Sequence, residues 1–136
     1  MTARGDLPGG ARNGSEKRGA VRMKLTQVKD LLQCSVLTGE EALSIDIDTA
    51  VAADGMSIVL AAPRPRALLI TGLTHIQSVR TANMADIAAI VYVGGNQPNA
   101  AAVAMARSKK IVLLATKLGM FDTCGILREQ GIKGGG

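Results

Sequence analysis

Tryptophan is absent from this 136-residue chain, and Tyr92 and Phe121 are its only phenyl-bearing side chains. Single-stranded nucleic acids are held largely by stacking on aromatic platforms, so a nucleic-acid role is not expected. The same shortage removes the aromatic anchors that dominate tight protein interfaces. Histidine is nearly absent too: His75 stands alone, and a His-based metal site would lack a second ligand of its kind. No Ser-His-Asp or Cys-His arrangement suggests itself, and the chain has neither a G-x-G-x-x-G loop nor a Gly-Lys-Ser/Thr phosphate loop. Catalysis, a metal and a cofactor are therefore not expected. Cys34 and Cys124 are far apart, in no C-x-x-C spacing, and fit a reducing cytoplasm as small buried hydrophobes. No apolar run approaches the roughly 18–20 residues of a membrane span, and no secretory apolar stretch follows the basic N-terminus.

What the chain does have is aliphatic. Hydrophobic residues make up 47% of it, with six Met, enough for one domain with a modest core. Its net charge of +5 sits mostly at the start: Arg4, Arg12, Lys17, Arg18 and Arg22 outweigh Asp6 and Glu16. Residues 1–22 carry five Gly and almost no large apolar side chain, so a disordered leader is expected. Met23 reads as the start of the domain, or as the initiator itself, with the domain running over 23–132 and a disordered tail over 133–136.

The apolar spacing predicts a helix with Leu25, Val28, Leu31 and Leu32 on one face and Thr26 as its cap or first-turn residue. A short strand over Cys34–Leu37 follows. Alternation from Ser44 to Val51 predicts a single strand with one wet face, carrying Asp46 and Asp48. Asp54 then caps a helix over Met56–Ala62, ended by Pro63-Arg-Pro-Arg66.

From Ala67 onward one pattern recurs: a continuous apolar run, a small or hydroxylic loop, then a helical stretch. The runs are Ala67–Ile70, Ile87–Val93 and Ile111–Ala115, breaking into Thr71–His75, Gly94–Pro98 and Thr116–Gly119. Unbroken apolar runs suit parallel strands covered on both faces. Right-handed crossovers then bring the loops to one sheet edge, where open α/β folds take ligands. Helices are predicted over Thr74–Met84 (Ile76, Val79 and Asn83 or Met84 inward), Asn99–Ser108 and Gly119–Gln130 (Met120 or Phe121 aligned with Cys124 and Leu127). Candidate ligand contacts are Gly72, Thr74, His75, Gly94, Gly95, Asn96 and Thr116. The glycines and Thr74 would offer backbone donors at helix starts, which suit a phosphate or carboxylate, while Asn96 and Thr116 would offer side-chain bonds. The plainer alternative is a set of capped strand–helix junctions with tight turns. Lys109 and Lys110 suit a helix end, where cations meet the dipole.

The order of elements resembles the DRTGG domains. The likeness rests on Met23-Lys-Leu-Thr-Gln-Val, Leu37-Thr-Gly-Glu40, Thr49-Ala-Val-Ala-Ala-Asp54-Gly-Met, and Leu69-Ile-Thr71 with Thr74-His75. It continues through Asp86-Ile-Ala-Ala-Ile-Val-Tyr-Val-Gly-Gly95, Asn96-Gln-Pro98 and Leu113-Leu-Ala-Thr116. The literal string Asp-Arg-Thr-Gly-Gly does not occur. The resemblance implies an α/β three-layer domain with a mostly parallel central sheet, similar to the N-terminal domain of HPr kinase, and without that enzyme's active site. It implies a regulatory module binding a small phosphorylated ligand, such as an adenine nucleotide, or a partner protein. The alternative is a structural or homodimerising subunit without ligand, of the stand-alone Thr-His kind found beside iron-only hydrogenase subunits.

Overall fold

In a computed structural model, the described residues are 21–61 and 64–135. They form a six-stranded sheet between two layers of helices, plus a small two-stranded ribbon. In chain order the elements begin with β1 (Met23–Lys24), α1 (Leu25–Leu32), β2 (Ser35–Thr38), β3 (Asp46–Ile47), β4 (Thr49–Ala52) and α2 (Met56–Ala61). They continue with β5 (Leu68–Thr71), α3 (Ile76–Met84), β6 (Ala89–Tyr92), α4 (Ala100–Lys109), β7 (Val112–Ala115), α5 (Met120–Glu129) and β8 (Lys133–Gly134). The sheet order is β2-β7-β6-β5-β4-β8. All neighbours in it are parallel except β2 on β7.

The expected parallel sheet is present, and the reason lies in burial: every residue of β5, β6 and β7 is buried. Alternate side chains serve two cores. Leu69, Ile90, Tyr92 and Leu113 join Val59, Val79, Ala102 and Ala106 from α2, α3 and α4 on one face. Leu68, Ile70, Val91 and Leu114 join Leu25, Val28, Leu32 and Leu127 from α1 and α5 on the other. The chain steps β4, β5, β6, β7 in one direction with its helices on one face. It then returns to β8 at the opposite side, and right-handed crossover puts α5 on the other face.

Several local expectations are corrected. The predicted strand over Ser44–Val51 is two strands interrupted at Asp48: β3 pairs antiparallel with β1, while β4 joins the main sheet. Alternation marks which face is wet but not which strand lies alongside. Lys133 and Gly134, read as tail, pair with Thr49 and Ala50 as a short outer strand. Of the expected leader, residues 1–20 lie outside the described residues, whereas Val21 lies against Gly131.

The helices differ in detail. Thr26 does not cap α1; Lys24 N–H donates to Gln27 Oε1 at 2.9 Å there, and the Thr26 hydroxyl donates to Leu43 O. Leu31 is exposed beside buried Leu25, Val28 and Leu32. In α3, Ser78, Val79, Thr81 and Ala82 are buried and Ile76 packs half-buried on the same core, while Asn83 and Met84 are exposed. In α5 Thr123 and Leu127 are buried and Met120 and Cys124 pack half-buried against the same core as expected, while Phe121 stands 89% exposed. Helix α2 ends at Ala61, with Ala62 and Pro63 outside the described residues. Asn99 caps α4 by accepting from Ala102 N–H at 2.9 Å. Asn99→Ala is expected to cost about 1 kcal/mol, read as a lower denaturation midpoint with unchanged slope.

Candidate functional site

Because β4, β5, β6 and β7 run parallel, everything that follows them gathers on one edge: Asp54, Thr71–His75, Gly94–Asn99 and Thr116–Gly119. Strand β2 runs the other way, so its start at Ser35, and Gln33 before it, reach the same edge. The three repeated loops therefore converge, together with two segments from outside the repeat.

The loops are stitched to one another by backbone bonds. Val93 N–H donates to Thr71 O at 3.1 Å and Asn99 N–H to Thr74 O at 3.4 Å. Gly94 N–H donates to Leu118 O at 2.7 Å and Gly95 N–H to Thr116 O at 3.0 Å. Gly94 and Gly95 hold φ values of 74° and 75°, the left-handed region that glycine enters without steric cost. Their role is thus to turn the chain so that these bonds close. The Gly94 and Gly95 N–H groups assigned to a ligand by sequence reasoning are engaged within the protein.

Gly72 is engaged as well. Its N–H donates to Asp54 Oδ1 at 2.7 Å, and the Thr71 hydroxyl donates to the same oxygen at 3.0 Å. Asp54 was expected to cap the following helix. It instead closes the β5 loop from the end of the neighbouring strand, a contact legible only once β4 and β5 are known to be adjacent and parallel. Thr74 is not a cap either: His75 occupies the N-cap of α3, its Nδ1 accepting from Gln77 N–H at 3.1 Å. The Asn96 amide donates to Val93 O at 2.9 Å. Thr116 is buried; its hydroxyl donates to Leu32 O at 2.6 Å and accepts from Leu118 N–H at 3.2 Å.

Beneath α3 a buried relay fixes its first turn to the sheet. Ser78 Oγ donates to His75 O at 2.8 Å, so its bond of 2.8 Å to Tyr92 takes the phenol as donor. Burial pushes the Tyr92 phenol above its ordinary range. Burial likewise raises Cys34 to about 11 against the pull of Lys29, and raises Cys124. Both thiols stay protonated at neutral pH and are weak nucleophiles. Among the described residues no group of His, Cys, Asp and Glu is arranged to hold a metal ion, and no helix is long and apolar enough to cross a membrane.

A cavity of about 310 Å³ opens at this edge, between the end of α1, the start of β2 and the loops after β6 and β7. Of the residues named from sequence, Gly95 and Thr116 line it; Gly72, Thr74, His75, Gly94 and Asn96 do not. Gln33, Ser35, Gln97 and Lys117 complete its polar wall. Gln97 and Lys117 directly follow residues already singled out, so adjacency was an available signal. Gln33 and Ser35 carried none, since nothing local says that β2 is antiparallel to β7.

The fold defines a three-layer α/β domain with an open, mostly parallel sheet. Among solved structures it is similar to the CBS and DRTGG domains of the regulatory region of Clostridium perfringens pyrophosphatase, a structure complexed with the activator diadenosine tetraphosphate. The TM-score is 0.64 at 15% identity, covering 79% of this chain and 46% of that one, so this chain spans just under half of its length. At that identity the likeness concerns the fold. No family model and no curated protein matches the chain.

Proposed function

We propose that this chain is a non-catalytic regulatory module that binds a small phosphorylated ligand at the C-terminal edge of its parallel sheet. One observation carries the reading: the converging loops leave a polar cavity of about 310 Å³ there, at the lower end of the roughly 300–1,000 Å³ of small-molecule sites. The fold likeness to a regulatory region crystallised with a dinucleotide activator supports a sensing rather than a catalytic role. The protonated thiols add to that support. A thermal-shift series with AMP, ATP, diadenosine tetraphosphate and inorganic phosphate tests it. A ligand at a hundred times its Kd stabilises by about 2.7 kcal/mol, a rise of several degrees in Tm. No saturable rise with any of the four overturns the reading.

Assembly is the second reading, and the observation favouring it is Phe121, the only Phe, 89% exposed in the first turn of α5. A homodimer, or a complex with a hydrogenase-type subunit, would bury that ring. Phe121→Ser should then shift the species seen by light scattering on a sizing column, and an unchanged monomeric mass for both proteins rejects dimerisation.

A further inference from the structure

We infer that the ligand's anionic group is held by Lys117 in the cavity between the end of α1, the start of β2 and the loops after β6 and β7, and not at the Gly72 loop. This deepens the regulatory reading and rests on it. The two halves of the edge differ in charge and in free donors. At the β5 loop, the Gly72 N–H and the Thr71 hydroxyl already converge on the Asp54 carboxylate. A phosphate there would have to break both bonds and sit against a like charge, which raises the cost of its desolvation.

The cavity half is the reverse. Among the described residues Lys117 is the only charged one in its wall, and no carboxylate lines it. Among the described residues Lys117 makes no ion pair, and the side chains of Gln33, Ser35 and Gln97 make no hydrogen bond. One cation ringed by two amides and a hydroxyl, all with donors uncommitted, is suited to a compact anion whose other oxygens take neutral hydrogen bonds. The Thr116 and Gly95 bonds hold this wall in place without competing for the ligand. The ligand class is a small phosphate monoester, with Lys117 on the phosphate as a point charge.

Calorimetric titration of AMP, inorganic phosphate and uncharged adenosine into the full chain distinguishes the possibilities. Lys117→Ala should weaken AMP and phosphate by about tenfold or more, as expected for loss of a charge-assisted bond. Lys117→Arg should keep AMP affinity within a few-fold, and adenosine should not discriminate among the three proteins. Asp54→Asn should leave AMP affinity within about threefold, since Asp54 lies outside the cavity. If AMP binds equally well to Lys117→Ala but changes sharply with Asp54→Asn, the phosphate sits at the Gly72 loop: the assignment fails and the regulatory reading stands. A response to diadenosine tetraphosphate alone has the same consequence. If none of the probes binds the wild-type chain, both fall.

Discussion

Gly39→Ala is expected to lower stability by about 3 kcal/mol or more, taking Tm down by roughly 10 °C while the chain retains its fold at low temperature. Gly39 sits where β2 leaves the sheet, with φ at 84°, a conformation that costs an L-residue about 1–2 kcal/mol. Space adds to the conformational cost. A methyl group on Gly39 would lie 2.6 Å from Val112 Cγ2 and 3.0 Å from Val112 Cα. Val112 opens β7, which is hydrogen-bonded to strands on both sides, so its backbone cannot give way. Gly95→Ala supplies the control: φ is 75°, yet nothing lies within 4 Å of an added methyl, so only the backbone cost of about 1–2 kcal/mol remains. Urea melts of the two variants decide the matter. Equal losses would mean that the contact with Val112 contributes nothing.

Thr116→Val carries the second large effect. The substitution keeps shape and removes one buried hydroxyl, leaving Leu32 O and Leu118 N–H without their partner. A buried group stripped of its bond costs about 1–3 kcal/mol, so a loss of about 2 kcal/mol is expected. Leu32 and Leu118 also line the cavity, so the wall loosens and AMP affinity should fall together with stability. Thr116→Ser, which keeps the hydroxyl, should recover most of both. If Thr116→Val melts like wild type, the bond to Leu32 is not what joins α1 to the loop after β7. If it melts lower but binds AMP normally, the cavity is not the site.

Thr116 shows how far a sequence can be read. Its place at the end of a buried strand, on the ligand edge, follows from the unbroken apolar run Ile111–Ala115. Its hydroxyl was expected to face a ligand and instead ties down the end of α1, a segment 84 positions away. Gly94 and Gly95 repeat the lesson. Their positive φ is in keeping with a tight turn, but the destination of their N–H groups depends on the strand next door. Phe121 shows the same limit within one helix. The spacing leaves Met120 or Phe121 to align with Cys124 and Leu127, and the structure packs Met120 half-buried on the core while leaving the Phe121 ring in solvent.

Local pattern alone determined the parallel, doubly covered strands, the helix faces marked by Leu25, Val28 and Leu32 and the gathering of three loops on one edge. These follow from burial periodicity and backbone chemistry, which act over a few residues. Tertiary structure alone decided the neighbours. It split the Ser44–Val51 alternation between two sheets, brought Lys133 and Gly134 in as an outer strand, and set Asp54 on Gly72. By turning β2 antiparallel to β7, it placed Gln33 and Ser35 opposite Lys117. Which donors on the edge are already engaged depends on contacts between segments remote in sequence, and those form only when the two cores close around the sheet.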